Sequence, residues 1–217
     1  MRAKSETRRQ KILDVAEEVF RERGFDLSTM SEITARVGGS RATIYSYFAS
    51  KEVLFLDVMH RLAKANIQPL FESLDAGKDM RATLLSFGEQ LLGILCQERM
   101  ITAFRVLFAE SGRTDVGRQF YERGPREGGM LLKAYFEQCI AAGKMQPVDC
   151  TVAAAQFTAL LKAEIFEPLL FDARDADRLP AISTTVGCAV DTFMRANAVP
   201  AVRPAPGSAG DDAIRSA

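Results

Sequence analysis

Apolar residues recur at steps of three and four along almost the whole chain, and that period restricts the fold to packed helices. In the first segment Ile12, Val15, Ala16, Val19 and Phe20 share one helical face while charged residues fill the other. No stretch alternates with the two-residue period of a strand over a useful length, so the expected class is all-α. Gly24 ends the first helix. Thr29-Met30-Ser31-Glu32 reads as a capping box, with Thr29 capping and Glu32 reaching back. The helix it opens is short, with Ile33 and Val37 facing inward, and Gly38-Gly39 end it. Ser40 caps a second short helix, Arg41 to Tyr47. Ser50 caps a longer one carrying Val53, Leu54, Leu56 and Val58, which ends or kinks near Pro69. Further helices are expected near 79–97, 99–111, 115–123, 125–142, 151–171 and 177–197. Gly124-Pro125 starts one of these and Gly143 stops it. Residues 199–217 hold Pro200, Pro204, Pro206, Gly207 and Gly210 with few large apolar residues, and read as a disordered tail.

Composition narrows the function. The 217 residues carry 28 basic and 28 acidic side chains, so the chain is no polycation, which argues against a non-specific nucleic-acid coat while leaving room for a local basic surface. The four cysteines, Cys96, Cys139, Cys150 and Cys188, form no C-x-x-C pair and have no histidine nearby. A zinc site and a disulfide framework are not expected; the thiols read as buried or half-buried, and a redox sensor would need two of them brought together in space. No signal peptide and no apolar run of about 20 residues is present, so the expected location is cytoplasmic, without a membrane partner. No cofactor and no metal are expected. His60, the single histidine, has no triad or metal cluster around it and reads as a surface or helix-interface residue.

Residues 29–48 hold two short helices joined by a glycine-bearing turn, the outline of a helix-turn-helix. A helix that enters the major groove needs apolar anchors on its inner face and small or polar residues outside. Ile44 and Phe48 are four apart and anchor inward; Arg41, Ala42, Tyr45 and Ser46 fall outside, with Arg41 in the first turn. The stretch T-M-S-E-I-T-A-R-V-G-G-S-R-A-T-I-Y-S-Y-F-A-S-K-E-V-L-F closely resembles the DNA-binding domain of the TetR/AcrR family. Its T-I-Y-S-Y-F-x-x-K-E run at 43–52 and the preceding Arg23-Gly24-Phe25 are the specific parts. Gly39 stands where the family usually has a β-branched or small apolar residue, and Thr34 where alanine is common; both leave the fold intact but loosen the turn.

The resemblance implies an N-terminal three-helix helix-turn-helix DNA-binding domain, residues 1–65, and a C-terminal helical ligand-binding and dimerisation bundle, residues 66–198. It implies that Arg41, Ala42 and Tyr45 face bases and that Thr29, Thr43, Tyr47 and Lys51 meet phosphates. Lys51 at a helix N-terminus and the Tyr and Thr hydroxyls suit phosphate on physical grounds as well. The alternative for Tyr45 and Tyr47 is packing. Arg8, Arg9 and Lys11 either add sequence-independent attraction or are simply solvated. Within 66–198 the runs F-Y-E-R-G-P-R at 120–126, A-E at 109–110 and A-A-Q-F at 154–157 resemble the AefR-like subgroup more loosely.

The implied function is a transcriptional repressor that binds palindromic operator DNA as a homodimer and is released by a small apolar or amphipathic effector. Phe87, Phe104, Arg105, Phe108, Met130, Phe157 and Leu161 are the candidate effector-pocket residues, against the alternative that the large side chains are only core. Arg105, on a mostly apolar segment, either pairs with Glu164 or meets an anionic ligand group. The last two helices are assigned to the dimer, through Val152, Ala155, Phe157, Ala159, Leu160, Ala163 and Phe166 on one and Leu179, Ile182, Val186, Ala189, Val190 and Phe193 on the other. An activator, or a repressor without a ligand, fits the same sequence. An enzyme with an attached DNA-binding module does not fit as well: the chain has no nucleophile elbow, phosphate loop, metal spacing or paired carboxylates with a histidine. A purely architectural DNA-binding protein is disfavoured by the neutral charge and the large apolar C-terminal region.

Overall fold

The computed structural model describes residues 2–112, 115–173 and 179–199. In chain order the helices are α1 (Arg2–Leu27), α2 (Met30–Val37), α3 (Arg41–Tyr47), α4 (Lys51–Glu72), α5 (Met80–Leu95), α6 (Glu98–Ser111), α7 (Val116–Arg123), α8 (Pro125–Ala141), α9 (Cys150–Lys162), α10 (Phe166–Leu170) and α11 (Ile182–Asn197). Among the described residues there is no strand, only an isolated bridge between Met145 and Ala198. The tail read as disordered lies, apart from Val199, outside the described residues.

The local signals act through caps. The side chains of Thr29, Ser40, Ser50 and Asp79 accept from the backbone N–H groups of Glu32, Thr43, Val53 and Ala82, satisfying donors that the first turn leaves open. Only half of the capping box forms. The Glu32 carboxylate turns instead to Arg23, at 3.0 Å, and Arg36, at 2.9 Å. Two cations outbid one backbone N–H for it. Gly24 interrupts α1 with φ 75°, and the helical hydrogen bonding resumes for three residues beyond it.

Two sequence expectations need correction, and proline explains both. The segment 151–171 is not one helix: it breaks at 163–165 into α9 and α10. Pro168 has no N–H to give the Glu164 carbonyl, but it is harmless in the first turn of a new helix. In the segment 177–197 the described residues, which start at 179, become helical at Ile182, after Pro180, with Ala181 extended at ψ 146°.

The buried side chains form two cores, and α4 passes through both. The first holds Ile12, Ala16 and Val19 of α1, Ile33 and Val37 of α2, Ile44 of α3, and Leu54, Phe55 and Val58 of α4. It also takes Met100, Ala103 and Leu107 from α6. The second holds Leu84, Phe87 and Leu92 of α5, Leu132 and Phe136 of α8, Phe157 and Leu161 of α9, and Val186, Val190 and Phe193 of α11. Along α4, Leu62 and Ala63 pack on the first core, while Ile67, Leu70 and Phe71 pack on the second.

Candidate nucleic-acid interface and sensor region

Helix α3 is seven residues long and cannot hold its place by its own hydrogen bonds. It is held by Ile44, fully buried, and by Phe48 just past its end, 1% exposed. With those anchors inside, Arg41, Ala42, Tyr45 and Ser46 are exposed together. Arg41 donates to the Tyr45 hydroxyl at 3.4 Å, and its guanidinium lies 5.5 Å from the Tyr45 ring centre. Tyr45 is therefore a surface residue and not packing. Tyr47 is half-buried, and its hydroxyl accepts from Ser5 at 3.5 Å.

The turn between α2 and α3 is pinned from α1. Gly38 and Gly39 have φ values of 74° and 117°, a pair that side chains rarely adopt. Arg8 donates to the Gly38 carbonyl, and a Cβ at Gly39 would lie 2.5 Å from the Arg8 guanidinium. Gly39 thus lets α1 close over the turn, where the sequence suggested only loosening. Arg9 pairs with Asp57 of α4 and lies 5.3 Å from the Phe48 ring centre. Arg8 and Arg9 are accordingly neither free nor simply solvated. Thr34 returns its hydroxyl to the Met30 carbonyl at 2.7 Å.

The remaining candidate phosphate contacts stand around α3. Thr29 is exposed as the α2 cap. The Thr43 hydroxyl is 2.8 Å from that of Ser40. Lys51 has a structural attachment that its helix-start position did not reveal. Its ammonium donates to the Phe25 carbonyl at 2.9 Å and the Asp26 carbonyl at 3.5 Å, and lies 4.2 Å from the Phe25 ring centre. A lysine has three donors, so one remains after both carbonyls are served.

Arg61 fastens α4 to α1, through Asp14 and Glu17, each at 2.6 Å. Burial works against its charge, and the two carboxylate hydrogen bonds more than offset this, so its pKa is raised. With Arg9–Asp57, these pairs bind α1 and α4 over several turns. This rigid pairing had no signature in the sequence, because 47 residues separate Arg61 from Asp14.

The candidate effector-pocket residues separate into four environments. Phe87, Phe157 and Leu161 are buried in the second core. Phe104 packs edge-on against Phe120 of α7, at 5.6 Å, and Phe166 of α10, at 5.0 Å. Phe108 and Met130 are exposed, at 59% and 63%, because the buried faces of α6 and α8 run through Ala103 and Leu107 and through Leu132, Tyr135 and Phe136. Arg105 does not pair with Glu164. It donates to the carbonyls of Leu169, at 2.7 Å, and Leu170, at 2.9 Å, and meets Asp172 at 3.3 Å, so it caps the end of α10. Glu164 accepts instead from the Thr185 hydroxyl at 2.9 Å. A separate open cleft of about 450 Å³ lies between the end of α8 and the start of α9, lined by residues such as Lys133, Val148 and Cys150, none of them in the candidate set.

Of the residues assigned to the dimer, Phe157 of α9, Phe166 of α10 and Val186, Ala189, Val190 and Phe193 of α11 are buried within the protomer. Val152, Ala155, Ala159 and Ala163 are exposed in a column along α9 and its end. Cys139 and Cys150 are buried and Cys96 is half-buried; Cys188, expected to be at least half-buried, is exposed on α11. His60 is half-buried, and its Nε2 has no hydrogen-bond partner among the described residues. No described group of three or more His, Cys, Asp or Glu residues is placed to hold a metal, and no described helix is long and apolar enough to cross a membrane.

Comparison with known proteins bears on the same two regions. Residues 12–58 match the family profile for bacterial regulatory proteins, tetR family, and residues 82–199 match the AefR-like transcriptional repressor, C-terminal domain. The HTH-type transcriptional regulator YfiR of Bacillus subtilis is 25% identical over 181 residues, 78% of this chain and 84% of YfiR. The HTH-type transcriptional activator FasR of Mycolicibacterium smegmatis is 31% identical over 101 residues, which span 46% of this chain and 45% of FasR. The solved structure of the flavonoid-responsive regulator FrrA superposes with a TM-score of 0.63 and 29% identity, over 90% of this chain and 99% of that one. With both modules matched in their proper order on an all-helical fold, the chain belongs to the TetR family of DNA-binding transcriptional regulators.

Proposed function

We propose that this regulator is a repressor that binds a palindromic operator as a homodimer and is released by a small-molecule effector. The observation that carries the reading is the face of α3: Arg41, Ala42 and Tyr45 stand out to solvent as a group while Ile44 and Phe48 fix the helix from behind. Arg41, Ala42 and Tyr45 read base edges; Thr29, Thr43, Tyr47 and the spare donor of Lys51 meet phosphates. The exposed column Val152, Ala155, Ala159 and Ala163, with the outer face of α11, pairs with its counterpart in a four-helix contact, since small residues allow close approach. Of the candidate pocket residues, Phe104 is the one whose side chain packs against the first core, so effector binding beside it would act on the DNA-binding module. The responsiveness named for FrrA supports release by a small molecule.

Footprinting of the purified protein on DNA upstream of its own coding sequence tests the reading. The expected result is a symmetric site with half-sites about 34–36 Å apart centre to centre. A monomer at micromolar concentration, or protection without symmetry, overturns it. Activation is the second reading, favoured by the similarity to FasR. Transcription in vitro from the footprinted promoter separates the two: added protein lowers transcript for a repressor and raises it for an activator.

A further inference from the structure

Two cations flank the ring cluster of Phe104, Phe120 and Phe166, and they differ in what they hold. Arg105 is spent on the Leu169 and Leu170 carbonyls and on Asp172. Lys162, in the last turn of α9, is half-buried and has no ion pair or hydrogen bond among the described residues. Its ammonium lies 5.8 Å from the Phe166 ring centre. Burial holds its pKa below the ordinary lysine value, with no carboxylate among the described residues acting the other way. A half-buried cation without a carboxylate partner is costly to keep, and the carbonyl end of α9 and a ring face compensate only in part.

From Lys162 the rings continue as an apolar row, from the buried Phe166 to the half-buried Phe104 and Phe120. Phe166 meets Phe104 edge-on, and Phe104 meets Phe120. We propose that Lys162 and these three rings receive a small amphipathic monocarboxylate, the charged end on the ammonium and the apolar body along the rings. This rests on the effector-released reading above and names the chemical class of the effector. One lysine is a single point charge, and the carbonyl end of α9 beside it disfavours a second negative charge, so the class is a monoanion and not a phosphate ester.

The rings fill the space between α6, α7 and α10, so entry of an apolar body displaces the weakest of the three. That is α10, five residues long, separated from α9 by the break at 163–165 and fastened to α6 through Arg105. Movement of α10 therefore pulls on α6, whose Met100, Ala103 and Leu107 belong to the first core.

The test is calorimetric titration of the full chain with decanoate, decanol and decyltrimethylammonium below their micelle concentrations. The wild type and Lys162→Arg bind decanoate at least about tenfold more tightly than decanol, as expected for a charge-assisted contact. Lys162→Met binds the two within about threefold of each other, with an unchanged melting temperature; Lys162→Gln serves the same comparison if the methionine variant fails to fold. A wild type that binds decanol or the cation as tightly as decanoate, or binds none of them, overturns the proposal. So does a Lys162→Met variant that keeps the full preference. Operator anisotropy separates this from the repressor reading. Lys162-dependent binding of decanoate that leaves DNA bound keeps the site and removes its role in release. Release by the alcohol or the cation, unaffected in Lys162→Met, keeps effector release and removes the site.

Discussion

Substituting Lys51 by alanine separates the two attachments that this residue makes or is proposed to make. Within the protein its ammonium holds the Phe25 carbonyl at 2.9 Å and the Phe25 ring at 4.2 Å, closing the end of α1 onto the start of α4. One half-exposed charge-assisted hydrogen bond with a ring contact is worth about 1–2 kcal/mol together, and that is the expected loss in chemical denaturation. A domain with about 5 kcal/mol or more of stability stays more than about 99% folded after such a loss, so DNA affinity is not limited by unfolding. The proposed phosphate contact is read separately. Removing one contact lowers the salt slope of log K by about 0.9 on operator and random DNA alike. Between 50 and 200 mM salt the variant then loses about 3.5-fold less affinity than the wild type does. Fluorescence anisotropy on both DNAs across that range, beside urea denaturation, measures the two effects independently. An unchanged slope refutes the phosphate role. An unchanged midpoint and slope of denaturation refutes the structural attachment, whatever DNA binding does.

Three further outcomes are expected. Arg41→Ala loses about 1–3 kcal/mol on the operator and relaxes preference at one base position; equal weakening on random DNA, measured by competition, would show that Arg41 does not read a base. Ile44→Ala, at a fully buried side chain, costs about 2–5 kcal/mol in denaturation and takes operator binding with it, since α3 loses its anchor. Ala159→Glu places a charge in the exposed α9 column and yields monomer by sedimentation, with the melting temperature little changed; a stable dimer would move the interface elsewhere.

The N-terminal module was legible because its signals are local. Thr29, Ser40 and Ser50 each cap the helix that follows within three residues, and Ile44 and Phe48 face inward at a four-residue spacing. What the sequence hid depends on distance along the chain. Arg105 meets residues more than sixty positions away, and nothing near it distinguishes the Leu169 carbonyl from Glu164 as a partner. Phe108 and Phe104 look alike in a helical pattern, yet the faces that α6 turns to α4 and α7 partly cover Phe104 and leave Phe108 exposed. Pro168 and Pro180 are signals in the sequence itself: the first sits in the first turn of α10 and the second two residues before α11.

The placement of α6 shows why the chain is better understood through its two cores than through a cut at one residue. By sequence α6 belongs with the C-terminal bundle, but its buried face, Met100, Ala103 and Leu107, completes the core under the helix-turn-helix. The α1–α4 pairing through Arg61 and Arg9 makes the other side of that core rigid. A shift of α6 therefore has few ways to be absorbed locally, because close-packed interiors do not deform gradually. It must either be resisted or turn the module that carries α3. A hundredfold loss of operator affinity requires an effector to favour the turned state by about 2.7 kcal/mol, roughly what burying one large apolar side chain's worth of surface supplies. A small ligand beside Phe104 is enough on that scale, provided that its binding free energy differs between the two positions of α6. A ligand buried equally well in both, however tightly held, would leave the regulator on its operator.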